Sequence, residues 1–114
     1  LAKYDPSGNL IWAKHIEGST MPVFSEDIAV DSQGDVYLTG YFGGTVDFDP
    51  GTATSNLTAS GPFDVYLVKI DASGNFQWAH NFGGPSADFG DGLATDASDH
   101  CWVFFMFNTF CSFL

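Results

Sequence analysis

The 114-residue chain contains no arginine and only three lysines, Lys3, Lys14 and Lys69, against 14 acidic residues, for a formal net charge of −11. Binding a nucleic acid requires clustered cations that displace its counterions, so this composition excludes a DNA or RNA partner. The same shortage removes the guanidinium fork that usually clamps phosphate and carboxylate ligands. An acidic surface so poor in lysine suits an extracellular or cell-surface setting. Cysteine is scarce as well. Cys101 and Cys111 are too few for a disulfide framework or a four-ligand zinc site, and are expected as buried or free thiols. A membrane span is lacking, since "CWVFFMFNTFCSFL" at 101–114 is too short and is interrupted by polar groups. The chain begins at Leu1 without a basic segment followed by an apolar run, and its first residues already fall inside a repeat. It is therefore expected to be a fragment of a longer protein, with any leader upstream. Helical periodicity of useful length is missing too.

What is present is a phrase written twice. "DPSGNLIWAK" at 5–14 and "DASGNFQWAH" at 71–80 share six of ten letters, and "DSQGD" at 31–35 and "DASDH" at 96–100 begin the same way. Residues 1–19 align with 67–85 at an offset of 66, and 28–42 with 93–107 at an offset of 65. Copy one is thus 1–66 and copy two 67–114, altered from about residue 99. So long a unit implies an insertion within it.

Short strands separated by turn signals are predicted over Ser25–Asp31, Asp35–Phe42, Phe63–Ile70 and Asn75–Phe82, with a small extra hairpin from Thr45–Phe48 and Asn56–Thr58. The repeated phrase reads as a hairpin turn. Its Asp accepts backbone N–H groups one or two residues on, and Gly8, Gly34 or Gly74 supplies a positive φ. A calcium loop would need oxygen ligands at alternate positions and a distant bidentate Glu, which the phrase lacks. In "FDVYLVKI" both faces are apolar, Phe63, Val65 and Leu67 on one and Tyr66, Val68 and Ile70 on the other, so the strand must be covered on both sides. In an antiparallel repeat protein that is the situation of a propeller blade between two neighbours; a small β-sandwich is the alternative. Trp12 and Trp78 follow the turn glycine at one fixed distance and are expected to lie largely buried between blades.

"DVYLVKIDASGNFQWAHNFGG", "IAVDSQGDVYLTGYFGGTVDFDPG" and "SGPFDVYLVK" resemble the SBBP repeat, named for a seven-bladed β-propeller, over residues 1 to about 98. The resemblance implies large secreted or surface-displayed bacterial proteins that share no catalytic activity. The last copy departs from the pattern: Gly34, Thr39, Gly40, Asp47 and Asp49 align with Asp99, Phe104, Phe105, Ser112 and Leu114. The phase is kept, with Trp102 over Tyr37, Phe107 over Phe42 and Phe113 over Phe48.

No nucleophile elbow occurs, and His15, His80 and His100 share neither a repeat position nor a metal-ligand spacing, which leaves them as surface or turn residues. The glycine clusters lack phosphate-loop spacing. Asn56 in "NLT" is a formal glycosylation acceptor. The one constellation with chemical potential is "VDFDPG" at 46–51. Extended, it would put Asp47 and Asp49 on one face about 7 Å apart, with Val46 and Phe48 toward the core. Two carboxylates, with Asp64 or neighbouring carbonyls completing the shell, could hold calcium, while the simpler reading is a solvated strand face. Two acids so close on one strand cannot flank a scissile glycosidic bond. The expected function is a non-catalytic scaffold segment without a cofactor, joined to the remaining blades and presenting loops to a protein or glycan. A calcium-dependent adhesion or carbohydrate-binding module is the alternative.

Overall fold

The structure, a computed structural model, describes residues 1–18 and 20–107; Cys111 and the alignments at Ser112, Phe113 and Leu114 lie outside the described residues. Ten strands follow in chain order: β1 (Ala2–Tyr4), β2 (Leu10–Ala13), β3 (Val23–Val30), β4 (Val36–Phe42), β5 (Thr45–Asp47), β6 (Asn56–Thr58), β7 (Asp64–Ile70), β8 (Phe76–Phe82), β9 (Asp88–Thr95) and β10 (Cys101–Phe107). The four long strands and the small hairpin expected from the sequence are present, with ends moved by one or two residues. The protein is all-β, built of antiparallel, propeller-like blades.

One blade is complete. It is a four-stranded sheet in the order β3-β4-β7-β8, with the β5–β6 hairpin inserted between its two middle strands. Hairpins β1–β2 and β9–β10 are separate two-stranded sheets. They cover opposite faces of the central sheet. Toward β1–β2 lie Tyr66, Val68 and Ile70, packed with Leu1, Trp12 and Ile16 and with Phe42, Val46 and Phe48 from the inserted side. Toward β9–β10 lie Thr39 and Val65, which β9 approaches so closely that a Cβ on Gly90 would press on both and on the Gly40 carbonyl. This two-sided cover is what the doubly apolar β7 requires, and all of β7 except Lys69 is buried. It also decides between blades and a sandwich, because a sandwich sheet keeps one face in water.

The two copies agree residue by residue. In β7–β8, Val68, Lys69 and Ile70 pair with Ala79, Trp78 and Phe76; in β1–β2, Ala2, Lys3 and Tyr4 pair with Ala13, Trp12 and Leu10, with the same irregularity before the last pair. In β3–β4 the pairing Ser25↔Gly40 is followed by Asp27↔Thr39, which leaves Glu26 as a bulge. In β9–β10 the pairing Gly90↔Phe105 is followed by Gly92↔Phe104, leaving Asp91 as the equivalent bulge. The altered tail therefore keeps strand, register and bulge. β1–β2 is the outer half of a blade and β9–β10 the inner half of another.

Candidate functional site

Both hairpin turns of the central blade open at one end of the sheet, and the turns of β1–β2 and β9–β10 repeat their construction. In each, an Asp carboxylate oxygen accepts the N–H groups two and four residues on: Ser7 and Asn9 on Asp5, Gln33 and Asp35 on Asp31, Ser73 and Asn75 on Asp71, Ser98 and His100 on Asp96. The reach is longer than the one or two residues expected from the sequence, because the Asp caps the whole turn and not its first peptide. Gly8, Gly34 and Gly74 have φ of 86°, 83° and 89°, and Asp99 takes the fourth such position at 62°. Aspartate is among the few residues that tolerate this region, so the "DASDH" turn survives the loss of its glycine.

The turns are wired to one another. Lys69 Nζ lies 2.9 Å from Asp35 and 3.4 Å from Asp31, and 5.0 Å above the Tyr37 ring, whose hydroxyl donates to Asp31. The Tyr37 side chain and the Asp35 carboxylate raise the Lys69 pKa. Burial pushes the Asp31 carboxyl up, but the Asp35 and Gln33 N–H groups and Lys69 outweigh it and hold its pKa low. The Ala72 N–H donates to Asp35, while Ser32 donates through its N–H and hydroxyl to Asp99 of the next hairpin. On the other side, Trp12 Nε1 and Lys3 Nζ both donate to the Ala72 carbonyl. All this carboxylate chemistry is internal. The indole of Trp102 and the His100 N–H hold Asp96 well below the usual carboxylate range, and Asn75 does the same for Asp71.

Trp12 and Trp78 occupy the same register but different surroundings. The Trp12 ring lies against Gly74, where a Cβ would come within 3.0 Å of it. Trp78 instead meets Tyr37 at 6.0 Å and His80 at 5.2 Å between ring centres. Both rings are only part-buried, less than the sequence suggested. Replacing Trp12 with Ala is expected to cost about 2 kcal/mol, and Trp78 about 1 kcal/mol, by chemical denaturation. Equal costs would show that the Gly74 seat contributes nothing.

The acids singled out for calcium sit in the β5–β6 insertion. β5 ends at Asp47, so Asp49 does not share a strand face with it. The reason is local: Asp47 Oδ1 accepts the N–H groups of Asp49 and Ser55, and Asp49 Oδ1 accepts that of Gly51, which closes two turns where the strand would continue. Val46 and Phe48 do face the core. Asp64, one of the groups weighed for completing a calcium shell, is fully buried and engaged by the Ser60 and Gly61 N–H groups and the Asn81 amide. Among the described residues no group of three or more His, Cys, Asp or Glu gathers in a way that could hold a metal. Asp88, also fully buried, was not visible as special in the sequence; its Oδ2 takes the Gly84 N–H at 2.7 Å, and its Oδ1 has no partner among the described residues. His15, His80 and His100 are exposed and lie after β2, on β8 and in the β9–β10 turn, and Cys101 is a free, half-buried thiol whose pKa burial raises. A cleft of about 230 Å³ between β1–β2 and the central sheet is lined by Leu1, Ile16, Val23 and Leu38 together with Lys14, His15, Ser25 and Tyr66. No helix among the described residues is long and apolar enough to cross a membrane.

No model of a known protein family matches the chain. It is similar to an uncharacterized WD repeat-containing protein, L264, of Acanthamoeba polyphaga mimivirus, with 37% identity over 82 residues that make up 69% of this chain and 6% of that protein. It is also similar to the regulatory protein FlaEY of Caulobacter vibrioides, with 31% identity over 103 residues, 90% of this chain and 11% of that protein. The chain spans about a tenth or less of the length of these curated relatives. The WD-repeat likeness and the matching registers of the two copies agree on a propeller-type repeat.

Proposed function

We propose that the chain is a non-catalytic stretch of a larger β-propeller scaffold whose loops receive a protein or glycan partner at the cell surface or outside the cell. One observation carries the reading: the recurring carboxylates are consumed in holding turns and blades together. What remains outward is the tip of the β5–β6 insertion, where residues 51–54 are exposed. Loops held on a rigid sheet are where binding residues collect. The WD repeat in the name of one relative supports an interaction scaffold. The acidic composition supports an external setting. The calcium-dependent alternative is less favoured, because Asp47 Oδ1 would have to give up two backbone bonds to take an ion.

The test is a glycan array together with a panel of chromogenic glycoside, ester and peptide substrates. The expected result is no turnover, and array binding that survives chelator and is lost when Thr52 and Thr54 are replaced by Ala. Turnover abolished by Asp47→Ala overturns the reading in favour of an enzyme. Binding that requires added calcium overturns it in favour of the calcium-dependent module.

A further inference from the structure

Beside the tip of the β5–β6 insertion lies a second cleft, of about 240 Å³, walled by three stretches of chain: Asp49 and Thr52 in the insertion, Gly74, Asn75 and Phe76 where the β7–β8 turn enters β8, and Lys14 just after β2. All three are interior segments of the chain. Ligand sites collect where packed units meet, and here the insertion, the outer hairpin of the central blade and the neighbouring half-blade converge. Each polar group is held from behind. Asp49 Oδ1 accepts the Gly51 N–H at 2.7 Å, and Asn75 gives its backbone N–H and its side-chain amide to Asp71 at 2.9 and 3.1 Å. The Lys14 stem lies over Gly74, where a Cβ would come 3.1 Å from Lys14 Cε, in the same close approach that seats Trp12. The outward half of each group is unused. Among the described residues, Asp49 Oδ2, Asn75 Oδ1, the Thr52 hydroxyl and Lys14 Nζ have no hydrogen-bond or ion-pair partner, whereas Lys3 and Lys69 are both engaged by the turns.

We infer that this cleft binds a single neutral sugar ring, one pyranose unit of a glycan. The inference rests on the reading of the insertion tip as the binding face, and it narrows that reading to one ligand class and one place. The argument from chemistry is the mixture of groups. A sugar hydroxyl both donates and accepts, so it uses two acceptors (Asp49 and Asn75), a hydroxyl of either kind (Thr52) and a charged donor (Lys14) together. These groups are ordered before the ligand arrives, which lowers the entropic cost of binding. Phe76, part-buried at the cleft wall, supplies the apolar surface on which the C–H face of a ring rests. Size points the same way. Sites for drug-sized ligands run to roughly 300–1,000 Å³, and a stable protein partner covers roughly 800 Å² of each surface, so a cleft of about 240 Å³ suits one ring. Charge selects the neutral ring. Lys14 and Asp49 cancel within the cleft, and the chain around it carries a formal net charge of −11, so an acidic sugar gains no attraction.

The test titrates the full chain with the methyl glycosides of glucose, galactose, mannose and N-acetylglucosamine, and with that of glucuronic acid as the charged probe, following backbone amide shifts by NMR. At least one neutral glycoside is expected to shift the Thr52, Gly74 and Asn75 amides saturably. Lys14→Gln and Thr52→Ala are each expected to weaken that binding about tenfold, with the circular dichroism of the chain unchanged. Shifts produced by the glucuronide alone overturn the choice of a neutral ring. Shifts confined to residues 51–54 and indifferent to Lys14→Gln overturn the cleft, while leaving the insertion tip as the binding face. No shift from any neutral glycoside overturns the inference; a glycan or protein partner that still binds through Thr52 and Thr54 then leaves the wider reading standing.

Discussion

Tyr66→Ala is expected to remove about 3–5 kcal/mol of stability, enough to unfold a domain of ordinary stability. Tyr66 is fully buried at the middle of β7, with its ring 4.9 Å from that of Phe48 and 6.3 Å from that of Phe42. Its hydroxyl lies 3.1 Å from Ser25 Oγ on β3, so one side chain ties the core sheet to the inserted side and to the inner strand. Truncation opens a cavity where three elements meet and leaves Ser25 without its partner. The same burial gives a pH signature. Burial raises the Tyr66 phenol from 10.0 to about 12, against a smaller lowering effect of the Ser25 bond. Below pH 10 the phenol is protonated in both states. Between about pH 10 and 12 the unfolded chain releases the proton while the folded chain keeps it, so stability falls as pH rises, by about 2–3 kcal/mol in all. Denaturation midpoints across this window check the slope, and Tyr66→Phe is expected to flatten it. An unchanged slope in Tyr66→Phe would assign the alkaline loss to another group.

The repeat made much of this fold readable. Where "DPSGN" and "DASGN" coincide, one turn predicts the other, and Trp12 and Trp78 fall into one register because their spacing from the turn glycine is the same. The β1–β2 and β9–β10 hairpins, too short or too altered to stand out as strands alone, follow from the copies they repeat. Interactions that join distant parts of the chain left no such mark. Nothing in "FDVYLVKI" distinguishes Asp64 from a solvated residue, since its partners are the Ser60 and Gly61 N–H groups and an amide on β8. The clamp of Lys69 on Asp31 and Asp35 spans more than thirty residues and depends on the strand order. In "VDFDPG", alternation would place two acids on one face only while the strand continues, and Asp47 ends it by capping the next turn. The aromatic tail kept its phase in the alignment, and the structure shows why. The letters at one aligned position, Gly40 and Phe105, differ greatly in size, and their partners changed in the reverse sense, from Ser25 to Gly90. Phe105 stacks on Phe82 with ring centres 6.1 Å apart, so it belongs to the packing and Phe104 is the exposed ring.

That exchange makes Gly40→Ala the second large effect. Gly40 lies opposite Ser25 beside the Glu26 bulge, where β3 bends toward β4. A Cβ on Gly40 would run into the Phe24 carbonyl and the Ser25 Cα, which are backbone atoms held by the neighbouring ladder. A flexible side chain could swing away, whereas here the strand itself must move, and with it the pairs that set the register of the sheet. The cost is expected to reach about 3 kcal/mol, at the upper end for overpacking. Gly90→Ala is expected to hurt for a related reason, since its Cβ would come within 2.6 Å of the Gly40 carbonyl and 3.0 Å of Thr39 Oγ1, and would wedge β9 off the central blade. In each copy one member of the bulge pair is a glycine: Gly40 lets the inner strands of one blade close, and Gly90 lets the next blade close on them. Chemical denaturation of the two variants separates these roles. Gly40→Ala should destabilise the central sheet as a whole, whereas Gly90→Ala should release the β9–β10 hairpin first, seen as early loss of amide-exchange protection at the Leu93 N–H, which donates to Asp27. A Gly40→Ala variant within about 1 kcal/mol of the parent would mean that β3 and β4 stand farther apart at the bulge than the structure places them.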